Sequence, residues 1–353
     1  MSVADSLARP EILALEPYPH AAWDPALERL HANESPWRHA GDRSSAGLNR
    51  YPEPYPRALE ARLAALYGVR PAQLIAARGS DEGIDLLVRA FCARGRDAVL
   101  ICPPTFGMYK FAAHVQGASV VEVPLQKAAG FALDLAGIER ALAAPVKLVF
   151  LCSPGNPTGA ALDPECIRHI ARLLLGRALI VVDEAYGEFA SRPSFIGELA
   201  QLPNLVVLRT LSKAWALAGA RCGVAIAEPS VIGLLRRVIP PYALPSLTSE
   251  AVFAALEPER IAQTHARITA IVAERTRLAG ALAALPSIVR VYPSEANFLL
   301  VQCGDAPRML AAAARAGFLL RDVSGSAYTP GCLRITVGTP EQDDRLLAGL
   351  ARA

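Results

Sequence analysis

Ala178-Leu179-Ile180-Val181-Val182-Asp183-Glu184-Ala185-Tyr186 is an unbroken apolar run that ends on two acids and a tyrosine. A strand with one wet face alternates apolar and polar residues. A run without alternation reads as a strand covered on both faces. Other short runs have the same character: Ala98-Val99-Leu100-Ile101-Cys102, Lys147-Leu148-Val149-Phe150-Leu151-Cys152, Leu205-Val206-Val207-Leu208 and Gly223-Val224-Ala225-Ile226-Ala227. Ser119-Val120-Val121-Glu122-Val123 is a more mixed member of the set. Helix-length segments lie between them. The pattern predicts an α/β fold whose large domain is a mostly parallel sheet wrapped by helices. Ligands of such sheets bind beyond the carboxyl ends of the strands, so the residues that follow each run are the ones to weigh.

Outside these runs the chain is punctuated by proline and glycine. Pro56 fits the first turn of a helix, Leu59, Leu63, Leu66 and Tyr67 form its apolar stripe, and Gly68 follows it. Tyr51-Pro52-Glu53-Pro54-Tyr55-Pro56 before it reads as extended. A second break is Pro240-Pro241-Tyr242-Ala243-Leu244-Pro245. Beyond it a helical pattern covers about 261–285, then strand-like pieces at 297–301, 318–321 and 333–337 predict a smaller α+β domain. The expected division is an N-terminal arm (1–45), a large domain (46–250) and a small C-terminal domain (251–353). A length of 353 residues fits two domains better than one core.

Hydrophobic residues make up 52% and charged residues 20% of the chain, a soluble globular composition. No apolar stretch is long enough to span a bilayer, so no membrane role is expected. Met1-Ser2-Val3-Ala4-Asp5-Ser6 lacks a basic region followed by an apolar one, so no secretory signal is expected. The seven cysteines include no C-x-x-C pair. Cys102, Cys152, Cys222 and Cys303 read as small buried hydrophobes, which points to a reducing, cytoplasmic setting. A net charge of +3 with dispersed basic residues gives no footprint for nucleic acid. The histidines form no cluster, and the Cys166–His169 pair alone makes no metal site, so no metal is expected.

The chemistry concentrates after the apolar runs. Thr210-Leu211-Ser212-Lys213 follows one of them, with Arg221 eight residues beyond Lys213. A lysine on a short loop at a strand end is partly desolvated, which lowers its pKa and frees its amine as a nucleophile. Two hydroxyls and a guanidinium beside it make a phosphate-sized set of donors. An ordinary surface lysine is the plainer reading of the segment taken alone. Asp183 suits a protonated ring nitrogen, or a helix cap; Tyr186 suits a phenolic oxygen on the same ring. In Ser153-Pro154-Gly155-Asn156-Pro157-Thr158-Gly159, Asn156 is the side chain with both donor and acceptor, or simply a turn residue. Gly79-Ser80-Asp81-Glu82-Gly83 opens a helix whose free N–H groups suit a phosphate, though Ser80 and Asp81 are also ordinary caps. If a phosphate binds there, the Asp81 and Glu82 carboxylates should point away. Tyr109, in Pro103-Pro104-Thr105-Phe106-Gly107-Met108-Tyr109, is the candidate to stack on a planar ring, or a packed core tyrosine. Arg334, inside an apolar strand, and Arg321 suit a carboxylate or phosphate unless internal acids pair with them, Arg321 having Asp322 beside it.

Taken in order and spacing, these residues resemble the class-II pyridoxal-phosphate-dependent aminotransferases of fold type I over nearly the whole chain, and most closely their histidinol-phosphate branch. Ala32-Asn33-Glu34-Ser35-Pro36, Asn49-Arg50-Tyr51-Pro52-Glu53, Arg78-Gly79-Ser80-Asp81-Glu82-Gly83-Ile84, Arg209-Thr210-Leu211-Ser212-Lys213-Ala214, Ser294-Glu295-Ala296-Asn297-Phe298 and Leu333-Arg334-Ile335-Thr336-Val337-Gly338-Thr339-Pro340 carry the closer likeness. The resemblance implies that Lys213 holds pyridoxal 5'-phosphate as an aldimine and moves the proton, that Asp183 pairs with the ring nitrogen, and that Asn156 and Tyr186 bond the ring oxygen. Tyr109 would stack on the ring. Ser80, Asp81, Ser212 and Arg221, with Thr210 close by, would hold the phosphate in the large, cofactor-binding domain. Tyr51 would reach the neighbouring subunit's cofactor, which implies a homodimer with shared active sites. Tyr18 and Asn33 on the arm would close over substrate, and Arg321 and Arg334 would bind its anionic group. Gly155, Trp215 and Trp37 depart from the family pattern, and Trp37 bears on the acceptor.

The reaction so implied moves an amino group between glutamate and imidazole-acetol phosphate in histidine biosynthesis, with small-molecule donor and acceptor. An aromatic amino acid aminotransferase and a threonine-phosphate decarboxylase would share the cofactor pocket. A non-catalytic sensor built on this fold would carry a DNA-binding extension, and none is expected here.

Overall fold

The computed structural model describes residues 2–24 and 26–352. Seven strands form the larger sheet: β1 (Leu74–Ala77), β2 (Ala98–Ile101), β3 (Ser119–Glu122), β4 (Val146–Cys152), β5 (Leu179–Asp183), β6 (Leu205–Thr210) and β7 (Gly223–Ala227). Their spatial order is β1-β7-β6-β5-β4-β2-β3. The pairs from β6 through β5, β4 and β2 to β3 are parallel, while β7 runs antiparallel to both of its neighbours. The sheet is therefore mostly parallel, as the unalternating runs predict.

Burial explains the missing alternation. Along β4 and β5 successive side chains fall into two different cores: Val149, Leu151, Ile180 and Val182 on one face, Leu148, Phe150, Leu179 and Val181 on the other. Helices Arg57–Tyr67 and Pro164–Leu173 cover the first face, and Ser80–Phe91, Met108–Gln116 and Pro229–Val238 the second. Each side chain leaves water whichever way it points, so every position selects for an apolar residue.

Four more strands form a second sheet: β8 (Ile288–Val291), β9 (Phe298–Cys303), β10 (Arg321–Asp322) and β11 (Cys332–Thr336), in the order β10-β11-β9-β8 and antiparallel throughout. Helices Pro258–Ala283, Ala306–Arg315 and Pro340–Leu350 pack on one core with it. Two strands carry little signal in the sequence. β1 has only four residues and ends on two alanines, which favour no strand. β8 is mostly open to water, with Val289 at 64% exposure. The strand expected at 318–321 shrinks to Arg321–Asp322, because Leu319 projects fully into solvent and pairs with nothing.

One glycine joins the sheet to the site. A Cβ on Gly223 would lie 2.5 Å from Ser80 N and 2.6 Å from Gly79 C, both backbone atoms that cannot yield. Hydrogen at this position lets the start of helix Ser80–Phe91 rest on the β6–β7 pair. Gly223→Ala should therefore cost about 2 kcal/mol or more of stability by overpacking, read as a lower midpoint in urea unfolding, and should weaken anion binding at Ser80.

Candidate active site

The carboxyl ends of β2, β4, β5 and β6 open into one cleft of about 1110 Å³, closed on the far side by Arg334 of β11 and the segment 321–329. Lys213, Asp183, Tyr186, Asn156, Ser80, Asp81, Thr210, Ser212, Arg221, Arg321 and Arg334 all line it. Residues up to 254 apart in sequence are thus brought together by the parallel strands, whose ends lie side by side.

Asp183 ends β5 and is 2% exposed. Its Oδ2 accepts from Tyr109 Oη at 2.7 Å and its Oδ1 from Ala185 N at 3.0 Å. No cation pairs with it among the described residues. Burial pushes its carboxyl up to about 6, against the pull of those two hydrogen bonds. Tyr186 is buried beside it, and burial raises its phenol well above the usual range. Lys213 Nζ lies 5.9 Å from the Tyr186 ring centre. The lysine meets the solvent of the cleft, yet the surrounding protein lowers its pKa, with Arg334 and Arg221 adding to the effect.

Helix Ser80–Phe91 begins after Gly79, whose φ of 80° favours glycine, and no side chain caps its first turn. Thr210 Oγ1 lies 3.0 Å from Ser212 Oγ and accepts Ser212 N–H at 3.2 Å. Arg221, at φ 54°, donates to Ser212 Oγ at 3.2 Å and to Asp81 Oδ2 at 3.2 Å. Open helix N–H groups, two hydroxyls and a guanidinium therefore converge on one end of the cleft. Of the two acids expected to turn away, Glu82 does so and bonds Arg78 N at 2.7 Å. Asp81 does not: Arg221 draws its carboxylate into the cleft as a counter-charge.

The opposite wall carries the two arginines. Arg321 and Arg334 stand directly opposite each other in the β10–β11 register. Asp322 does not neutralise Arg321; its Oδ1 accepts Ser324 N–H at 2.8 Å. Neither arginine is in an ion pair among the described residues. Arg334 donates to Asn156 Oδ1 at 2.5 Å and lies over the Phe298 ring at 5.3 Å. Burial, with Arg321 adding, lowers its pKa. Like charges directly across a ladder repel, so an anion between them would stabilise the pair.

The structure corrects the place of Tyr109. Its ring is fully buried, stacked on Phe150 with centres 4.7 Å apart and 8° between planes, and it lies behind Asp183 instead of facing the cleft. Phe106, in the loop before helix Met108–Gln116, lines the cleft in its stead, with Phe111 on the helix itself. The arm and Tyr51 stand apart from their own chain's cleft. Tyr18 is 67% exposed, and neither it nor Asn33 reaches the cleft. Tyr51 is 52% exposed, stands outside its own chain's cleft and packs on Tyr242 with ring centres 4.8 Å apart. Trp37 is also exposed.

Three cleft residues escape a reading of the sequence. Glu122, at the end of β3, accepts from Lys110 Nζ at 2.7 Å and from Tyr328 Oη at 3.0 Å, tying the larger sheet's edge to the segment that carries Arg321. Only the long-range contact marks them, since each alone is a common surface residue.

These groups fit a phosphorylated pyridine aldehyde. The uncapped helix start, hydroxyls and Arg221 suit its phosphate, Asp183 a cationic ring nitrogen, and Lys213 the aldehyde. Asp183 also makes a separable prediction. A carboxyl raised on folding contributes stability that is fully present below about pH 4 and lost as pH rises through about 6. Asp183→Asn should therefore stabilise the cofactor-free protein at pH 8 by about 1–3 kcal/mol, with little gain at pH 4, while pyridoxal phosphate binds more weakly. Thermal melts at the two pH values and an absorbance titration check both halves.

The family model "Aminotransferase class I and II" matches residues 26–350. The histidinol-phosphate aminotransferase of Stenotrophomonas maltophilia (strain R551-3) is 47% identical over 351 residues, covering 98% of this chain and 96% of that protein. That of Xylella fastidiosa (strain 9a5c) is 51% identical over 323 residues, covering 91% and 88%. The crystal structure of histidinol-phosphate aminotransferase from Sinorhizobium meliloti in complex with pyridoxal-5'-phosphate is 28% identical, with a TM-score of 0.75 over 86% of this chain and 82% of that one. The chain belongs to the class I and II aminotransferases, in their histidinol-phosphate branch.

Proposed function

We propose that this enzyme moves an amino group between L-histidinol phosphate and 2-oxoglutarate, giving imidazole-acetol phosphate and glutamate, or the reverse, in histidine biosynthesis. The observation that carries the substrate choice is the acid-free pair Arg321–Arg334 facing Lys213 across the cleft. A site for two alternating substrates, one bearing a phosphate ester and one a second carboxylate, needs guanidinium groups that accept either anion.

Pyridoxal 5'-phosphate, when bound, supplies the aldehyde and the ring that takes up electron density. The chain supplies the rest. Lys213 Nζ, with its lowered pKa, is the amine that holds the cofactor and the base that takes the proton from the substrate α-carbon. Asp183 holds the ring nitrogen cationic, and Tyr109 fixes the Asp183 carboxylate. Tyr186 and Asn156 would bond the ring oxygen, and Phe106, which lines the cleft, would stack on the ring. Ser80, Asp81 through its backbone, Thr210, Ser212 and Arg221 hold the phosphate. Arg221, now paired with Asp81 at 3.2 Å, would turn to the phosphate.

The working form we propose is a homodimer with shared active sites. Support comes from the arm's exposed apolar side chains, Leu27 at 68% and Leu30 at 92% among them, and from Tyr51, which is half exposed outside its own chain's cleft. Tyr18 and Asn33 would reach substrate only after the arm closes. A cytoplasmic location accords with seven free thiols, most of them buried. No helix among the described residues is long and apolar enough to cross a membrane.

The purified protein should be yellow, and Lys213→Ala should lose both that absorbance and activity; a colourless protein that pyridoxal phosphate cannot reconstitute rules the reading out. Half-reactions with histidinol phosphate, phenylalanine, glutamate and threonine phosphate set the substrate, and release of carbon dioxide from threonine phosphate alone would mark a decarboxylase. Arg321→Ala should lower kcat/KM for histidinol phosphate about ten- to hundredfold, from lost charge-assisted bonds. Glutamate should lose less, because Arg334 remains for its single distal carboxylate.

A further inference from the structure

Behind the lysine loop lies a buried ion cluster that takes no part in the cleft. Arg209, the residue before Thr210, is 7% exposed. Its Nη1 donates to Glu184 Oε2 at 2.8 Å, and its Nη2 forms an ion pair with Glu188 Oε1 at 2.8 Å. The guanidinium also lies 5.3 Å from the Tyr67 ring centre. Glu184 is held in turn by Phe195 N–H at 2.8 Å. The same Oε1 of Glu188 accepts Trp215 Nε1–H at 3.2 Å. Trp215 is 6% exposed and sits two residues after Lys213.

One carboxylate oxygen thus ties both flanks of the segment that carries the reacting amine. Arg209 lies on the β6 side and Trp215 on the far side. Leu217 N–H to Leu211 O at 3.1 Å and Ala216 N–H to Lys213 O at 3.3 Å close the loop on itself, and Leu211 N–H to Cys222 O at 3.0 Å ties its start to the residue before β7. Beyond Lys213 the polar anchor is Glu188, which holds Trp215 and belongs to the short turn Gly187–Phe189 that follows Tyr186. Gly187 permits the approach, since a Cβ there would lie 2.7 Å from Arg209 Nη1.

We propose that Glu188 is a positioning residue for Lys213, and that Trp215 is the arm through which it acts. Glu188 touches no cleft group. It fixes where the Lys213 Nζ stands relative to Asp183 and Tyr186, which share its turn and strand. Positioning of this kind matters because a displacement of about 1 Å at a reacting atom costs about a hundredfold in rate.

The proposal rests on Lys213 being the cofactor-bearing amine, so the test begins with wild-type holoenzyme whose visible absorbance Lys213→Ala abolishes. Trp215→Phe keeps a ring in place and removes the N–H. It should lower kcat about tenfold with the glutamate KM within about twofold. The pH midpoint of the visible absorbance should rise by about half a unit, because a looser lysine meets more water. Glu188→Ala frees Trp215 by another route and should shift the midpoint the same way. Glu188→Gln retains an acceptor for both donors and should stay near wild type. If Trp215→Phe and Glu188→Ala both keep the wild-type midpoint and kcat, the clamp is wrong, even where the melting temperature falls. If wild type shows no such absorbance, it is the assignment of Lys213 that fails instead.

Discussion

Asp183 is a carboxylate held inside an apolar sheet by one phenol and one peptide N–H, with no cation among the described residues to answer it. Burying an anion so sparsely solvated is unfavourable, and its raised pKa measures that cost. The strand order makes it tenable. β5 is the central strand of seven, so its end is flanked by β4 and β6, and Phe150 and Tyr109 stack behind it. A cationic ring in the cleft would complete the pair. The fold thus keeps a strong negative site dry until a ligand of the right charge arrives, and in that state the attraction is screened far less than it would be in water.

The rest of the cleft is built around the opposite sign. Lys213, Arg221, Arg321 and Arg334 line it, and of these four only Arg221 has an acid partner among the described residues. Burial lowers the pKa of Lys213 and of Arg334, and to that is added the cations' mutual repulsion. Two anionic groups, one at the open start of helix Ser80–Phe91 and one between the facing arginines, would relieve it. Phosphate recognition and amine activation are therefore one electrostatic arrangement. The cations that bind anions also help keep the Lys213 amine free for chemistry.

Much of this was legible along the chain. Lys213, Ser212 and Arg221 share one short segment, and Asp183 and Tyr186 share another, so local spacing and their place after apolar runs were enough to mark them. Tyr109 and Phe106 show the limit. They lie three residues apart beside the same strand, and which of them faces the ligand depends on where helix Met108–Gln116 begins, which no local residue announces. The absence of a side-chain cap on that helix removes the usual marker. Asp81 misled for a related reason: an acid at a helix start favours the dipole wherever it points, and only Arg221, 140 residues on, turns it into the cleft.

Periodicity alone marked the inner strands of the large sheet, because a strand dry on both faces leaves no position free to be polar. It also placed the reacting groups at strand ends, where apolar selection stops. Tertiary structure alone decided the partners. The facing of Arg321 and Arg334 depends on the β10–β11 register, the bond from Tyr328 to Glu122 spans 206 residues, and the shared Glu188 oxygen joins a turn after β5 to both sides of the lysine loop. Sequence records how much water each residue tolerates. Which charge answers which is set by distances between segments, and those exist only once the chain has packed.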